Sequence, residues 1–80
     1  MPIQAPKPDQ IQPGLKLRHY KGGMYVVKGL CRIEATLETG VLYQPLQGDA
    51  QHVLWMRPIK EFQDTVQTEQ GAVPRFGVVE

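Results

Sequence analysis

Serine is missing from all 80 residues of the chain, which removes every serine-nucleophile mechanism. Cysteine occurs once, at Cys31, so no internal disulfide can staple the fold as in small secreted domains. No apolar run approaches the roughly 18 to 20 residues of a membrane-spanning helix, and the N-terminus lacks a basic region followed by an apolar stretch. These absences lead to the expectation of a cytoplasmic protein that neither enters nor crosses a membrane. His19, His52 and Cys31 are the soft metal donors, and their separations match no zinc spacing, so neither a metal nor any other cofactor is expected. Nucleotide-type glycine loops and His-Glu metalloprotease spacings are absent as well. Neither sign of charge is in excess: nine Lys and Arg against eight Asp and Glu leave +1, which excludes a polyanionic tail and a strongly basic nucleic-acid coat. The length admits one small domain, and folding at this size buries only roughly 60 to 65% of the unfolded surface, which favours shallow sites over a deep cleft.

What is present is organised in two textures. Residues 1–13 hold four of the seven prolines and three glutamines, a composition that favours extended, solvated backbone and predicts a flexible tail. From residue 14 to 80, short apolar runs broken by Gly, Pro or Asp predict a single all-β domain. Leu15, Leu17 and His19 alternate with Lys16, Arg18 and Tyr20, the period-2 pattern of a strand with one face inward. Lys21-Gly22-Gly23 then supplies a tight turn. Residues 24–33 form a longer strand that Gly29 is expected to bulge or bend, and its apolar residues fall on both parities, as in a strand that curls around a barrel. A polar loop over 34–40 precedes a third strand over 41–46, in which Pro45 argues for an edge position or a terminal bulge. The turn at 47–50 leads to a fourth strand over 52–57, and Pro58-Ile59-Lys60-Glu61-Phe62 suits a single helical turn with Ile59 and Phe62 inward. Residues 63–70 read as a polar crossing, and one last edge strand follows Gly71. Five short strands with a helical turn before the end is the plan of a small SH3-like barrel, with an OB-like barrel as second choice.

Arg18-His19-Tyr20-Lys21-Gly22-Gly23, followed by Tyr25 and Val27, resembles a bacterial family known only as domain of unknown function 1653. The likeness continues through Arg32, Thr36, Leu37 and Glu38, then Val41, Tyr43, Gln44 and Leu46. It runs on through Gly48-Asp49, Leu54-Trp55, Arg57-Pro58 and Phe62 to Val73-Pro74-Arg75-Phe76, in order, over nearly all of residues 14–79. One departure is local: where the family carries a His-Ser-Glu triplet, this chain has Ile33-Glu34-Ala35. Any chemistry that needs that histidine is therefore not expected here. The resemblance implies no activity, so the roles of these residues rest on their own chemistry.

The most chemically loaded stretch is residues 18–23, where three potential cations and an aromatic adjoin a glycine turn whose backbone N–H groups suit a phosphate or carboxylate. The ordinary alternative is a solvated hairpin end. Trp55 and Arg57 share one face of the fourth strand, and Tyr43 and Val41 one face of the third. A lone Trp in a small domain is ordinarily core, which is the expectation for Trp55; exposed, it would join Tyr43 and Arg57 in a stacking or anchoring surface. Cys31 lies in an apolar strand and reads as an inert core residue. No catalytic constellation emerges, so the expectation is a non-enzymatic binding or adaptor module with a basic-aromatic surface. Its candidate residues are Arg18, His19, Tyr20, Lys21, Arg32, Thr36, Tyr43, Arg57 and Arg75. A protein or peptide is the expected partner, because low net charge gives weak long-range attraction to phosphate backbones. Single-stranded nucleic acid is the second choice. An anionic small-molecule site is the competing class, in which Arg18, His19, Arg32, Thr36 and Arg75 converge. Open strand edges also allow a weak homodimer beside a monomer.

Overall fold

The computed structural model describes residues 4–48 and 51–79. The alternation around Leu17 produces strand β1 (Lys16–His19), with Leu17 fully buried and Lys16 and Arg18 exposed. Its turn is closed by the Gly22 N–H donating to the His19 carbonyl at 2.8 Å and the His19 N–H to the Gly23 carbonyl at 2.7 Å. Gly22 sits at φ 104°, a conformation open to glycine and strained for other residues. Strand β2 (Met24–Arg32) pairs antiparallel with β1 and with β3 (Thr39–Pro45). Its register jumps between Val27 and Gly29, leaving Lys28 as the extra residue of a bulge. That slip changes parity, so Val27 lies opposite Tyr43 before the bulge and Leu30 lies opposite Val41 after it. Val27 is fully buried, whereas Leu30 stays 50% exposed.

Strand β4 (Trp55–Pro58) adds to the free side of β3 and begins three residues later than the sequence pattern suggests. β3 is thus an interior strand, contrary to the edge position inferred from Pro45. The proline is tolerated because it sits at the strand's last residue, past the Tyr43–Trp55 pair that ends the ladder to β4, and pairs only with Tyr25 of β2. A 3-10 turn over Ile59–Phe62 follows, where the Pro58 pattern predicts it, and buries Phe62 completely. Residues 63–70 are not simply a polar crossing: Thr65–Thr68 forms β5, which pairs with β6 (Gly71–Pro74) in a separate hairpin turned by Gly71 at φ 102°. Strand β7 (Phe76–Val78) then returns to pair with β1.

The fold is all-β, with a five-stranded antiparallel sheet of order β4-β3-β2-β1-β7 and the two-stranded β5-β6 sheet, seven strands among the described residues where five were expected. Among the described residues β4 and β7 do not pair, so the large sheet is not a closed barrel. No helix of the described residues is long and apolar enough to cross a membrane. The core comprises Leu17, Val27, Val41, Tyr43 and Phe76 from the sheet, with Phe62 and Ile11 packed onto them.

Ile11 belongs to the segment whose composition suggests a flexible tail, yet it is 1% exposed, and Pro6 is also fully buried. Gln4 accepts a hydrogen bond from the Val78 N–H at 3.0 Å, Pro6 accepts one from the Gln63 side chain at 3.2 Å, and a 3-10 turn spans Pro8–Gln10. Residues 4–13 are therefore packed on the sheet. One aliphatic and one proline ring supply the apolar contact, and the prolines lower the entropy that ordering costs. Residues 1–3 of that tail, and residues 49 and 50 of the expected 47–50 turn, lie outside the described residues. If Ile11 is core, Ile11→Ala lowers unfolding stability by about 2 to 5 kcal/mol, the range for truncating a buried aliphatic. Urea denaturation followed by circular dichroism reads this, and an unchanged midpoint would show that residues 4–13 contribute nothing to the core.

Candidate basic-aromatic binding site

Phe76 organises the site. Its pairing in β7 places it opposite His19 of β1, and its ring stacks on Phe62 with centroids 4.6 Å apart. His19, Tyr25 and Tyr43 meet it edge-on at 5.1, 5.9 and 5.8 Å, and the Arg57 guanidinium lies 5.9 Å from its centroid. These are the tilted geometries that aromatic quadrupoles favour, with a cation on the ring. Arg57 reaches the cluster because the β3–β4 register sets it opposite Val41 and sets Trp55 opposite Tyr43, all on one sheet face. The same-face reading of Trp55 with Arg57 and of Tyr43 with Val41 holds.

Arg57 is held on two sides. Its Nη1 donates to Glu61 Oε1 at 2.7 Å and its Nε donates to the Tyr43 hydroxyl at 3.4 Å. The Tyr43 hydrogen bond, ahead of the Glu61 one, keeps the guanidinium more firmly protonated than usual despite partial burial. His19 behaves oppositely. Burial of the ring, then the positive charges of Arg57, Arg75 and Lys21, hold its pKa below the ordinary 6.5. Its Nδ1 accepts the Lys21 backbone N–H at 3.2 Å, so the neutral ring carries its proton on Nε2. Tyr20 stacks at a tilt on His19 with centroids 4.6 Å apart, and Lys21 Nζ lies 5.8 Å from the Tyr20 ring. Beside them a groove of about 530 Å³ runs between the end of β1 and the β5-β6 hairpin. Arg18, His19 and Tyr20 line one wall; Thr68, Gln70, Ala72, Val73 and Pro74 line the other.

Of the nine residues singled out from the sequence, seven gather at this end of the sheet: Arg18, His19, Tyr20, Lys21, Tyr43, Arg57 and Arg75. Arg32 and Thr36 do not. They lie at the far end of β2, a strand of nine residues, and hold the β2–β3 loop together. Arg32 Nη1 donates to the Leu37 carbonyl at 2.9 Å, and the Thr36 hydroxyl accepts the Glu38 N–H at 3.2 Å. Leu37 there has φ 62°, an unusual value for a side-chain-bearing residue, and both bonds support it. One expectation of burial is reversed. Trp55 is 47% exposed, because β4 has no neighbour on its outer side and Phe62 and Phe76 already fill the interior. Tyr43 is only 6% exposed, so it offers its hydroxyl to Arg57 and no open stacking face. Sequence reasoning missed Glu61, whose i to i+4 spacing from Arg57 was a usable signal, and it missed the hairpin wall, for which the Thr-Val-Gln-Thr alternation before Glu69-Gln70-Gly71 was the clue.

The His19 environment has a consequence for stability. A folded-state pKa below 6.5 means that, as pH drops through about 6.5, the unfolded chain takes up a proton that the folded ring resists. Stability therefore falls with pH below that value until the folded ring also titrates. The facing groups are Lys21 from the β1–β2 turn, Arg57 from β4 and Arg75 ahead of β7, with Glu61 already engaged by Arg57. Thermal unfolding of the protein between pH 7 and 5.5 should show a falling Tm, with a shallower fall in His19→Gln. NMR titration of the imidazole should give a midpoint below 6.5, and a midpoint at or above that value would contradict the assignment.

Comparison with known proteins places these residues in context. A family model described as "Protein of unknown function (DUF1653)" matches residues 16–78. Among solved structures, the crystal structure of a protein of that family from Bordetella bronchiseptica is similar, with 37% identity, a TM-score of 0.74, and coverage of 89% of this chain and 90% of that one. Among curated proteins, none matches the chain. The match over β1 to β7 includes every residue of the His19–Arg57–Phe76 cluster, and the chain belongs to the DUF1653 family.

Proposed function

We propose that this protein is a non-enzymatic binding module that takes an extended segment of another protein in the groove between β1 and the β5-β6 hairpin. The observation that carries the reading is the composition of that groove: a cationic and aromatic wall of Arg18, His19 and Tyr20 faces a largely apolar hairpin wall. A groove of about 530 Å³ falls within the volume range of ligand sites. Cations and aromatics at its rim are the side chains that dominate protein interfaces. The near-neutral net charge argues against a phosphate backbone as the natural occupant, since such binding draws on many released counterions. The version in which Arg18, His19, Arg32, Thr36 and Arg75 enclose a small anion loses support, because Arg32 and Thr36 are tied into the β2–β3 loop.

The sheet order β4-β3-β2-β1-β7 with a 3-10 turn after β4 supports an SH3-like plan, with the β5-β6 hairpin inserted before the last strand. That hairpin supplies the second wall of the groove. A free, unpaired Cys31 supports a cytoplasmic setting.

Panning a random-peptide library on the wild-type protein, with an Arg18→Ala/Tyr20→Ala double variant as counter-target, tests the function. Peptides enriched on the wild type alone, shifting amide resonances of residues 18–21 and 68–73, are the expected result. Equal enrichment on both proteins overturns the groove assignment. Binding of oligothymidylate that weakens steeply between about 50 and 200 mM salt would replace the protein partner with single-stranded nucleic acid.

A further inference from the structure

Resting on the peptide-groove reading, we propose that the segment taken by the groove is proline-rich, free of basic residues, and held as a polyproline II strand. The charge and hydrogen-bond character of the lining carries the choice. No carboxylate lines the groove, while Arg18 on its β1 wall is exposed and has no ion-pair partner among the described residues. His19 has spent its acceptor nitrogen on the Lys21 N–H at 3.2 Å, so the neutral ring has only a donor left to offer. On the other wall the Thr68 hydroxyl is used twice, donating to the Gly71 carbonyl at 2.9 Å and accepting the Gln70 N–H at 3.2 Å. Pro74, at the end of β6, has no N–H. The lining side chains still free to bond are Arg18, His19, Tyr20 and Gln70, and each can donate.

A polyproline II segment is the peptide form that answers this lining. Its carbonyls make no internal hydrogen bond, and each proline removes an N–H that would need an acceptor. A Lys or Arg in the segment would instead meet Arg18 with no lining carboxylate to offset it. The proline rings have apolar seats: Tyr20 is 36% exposed and tilts against His19 with centroids 4.6 Å apart, and Ala72, Val73 and Pro74 form the facing wall. Being extended before it docks, such a segment loses little conformational freedom.

The protein handles its own proline-rich segment in the same manner. Lys7, between Pro6 and Pro8, has φ −78° and ψ 154°, values of polyproline II backbone. The Pro6 ring is fully buried, and its carbonyl accepts the Gln63 side-chain amide at 3.2 Å. An apolar seat for the ring and a side-chain donor for the carbonyl are what Tyr20, Pro74 and Gln70 offer in the groove.

The test is an NMR titration of the full chain with an end-blocked peptide of three Pro-Pro-Gln repeats, and with matched peptides in which Ala replaces each Pro or Lys replaces each Gln. The Pro-Pro-Gln peptide is expected to shift the amides of residues 18–20, 70, 72 and 73. It should bind at least about tenfold more tightly than the Ala version, each proline contributing about two- to fivefold through the reduced freedom of the unbound peptide. The Lys version is expected to bind less tightly than the Gln version at low salt. Tyr20→Ala, at an exposed position and with its fold checked in the same spectra, should abolish the shifts. Equal or tighter binding of the Ala or Lys version, or unchanged shifts in Tyr20→Ala, overturns the proline-rich assignment. Shifts confined to residues 4–11 also overturn it, since the peptide would then be exchanging with the chain's own segment. If the Pro-Pro-Gln peptide gives no shifts while panning still enriches peptides that bind the groove, the assignment is overturned and the groove stands. If neither titration nor panning yields a binder at the groove, the groove reading itself is overturned.

Discussion

The packing of Phe76 against Phe62 is the contact on which the rest of the arrangement depends. Phe76 is anchored by the β1–β7 ladder and Phe62 by the 3-10 turn after β4, so their stacking joins the two end strands of the sheet, which do not pair among the described residues. Both rings are essentially removed from water, and an aromatic of this size is among the largest single contributors to a core as small as this one. Because Arg57 precedes Phe62 by only five residues and lies near the Phe76 ring, the same contact brings a cation from one edge strand to within electrostatic range of His19 beside the other. The candidate site is a by-product of how the sheet is held curled.

Charge is distributed by the same logic. The chain as a whole is nearly neutral, yet Lys21, Arg57 and Arg75 all act on one imidazole while the Glu61 carboxylate is bound to Arg57. Keeping His19 neutral lowers the repulsion that a fourth cation would add and preserves the Lys21 backbone bond to Nδ1. The opposite end of β2 is quiet by comparison: Arg32 is spent on the Leu37 carbonyl, and Lys60 pairs with Glu38 at 3.3 Å across the surface. The polar residues singled out from the sequence thus divide into one group that closes a loop and another beside a groove.

Several features of this fold are legible residue by residue. The alternation at Leu17 and His19, the Gly22 turn, the bulge near Gly29 and the helical turn after Pro58 each follow from interactions within a few residues, so short-range pattern suffices to find them. Less legible were the elements whose stability is borrowed from elsewhere. Thr65–Thr68 carries only one large aliphatic and becomes a strand through pairing with β6. Pro45 reads as an edge signal, and only the short reach of β4 makes it harmless in an interior strand.

Composition and spacing by themselves determined that the chain is all-β, that no disulfide, serine nucleophile or zinc spacing is available, and which cations and aromatics adjoin the β1–β2 turn. Tertiary structure alone decided which apolar groups fill the interior. Ile11 from a proline-rich segment is buried and Trp55 is left 47% exposed, the reverse of what size and local composition suggest. It also decided that the charges of Arg57 and Arg75 act on His19 while Arg32 is tied to the Leu37 carbonyl. The physical reason is common to both: local periodicity sets which face a side chain occupies, whereas the curl of the sheet and the few slots of a small core set what that face meets.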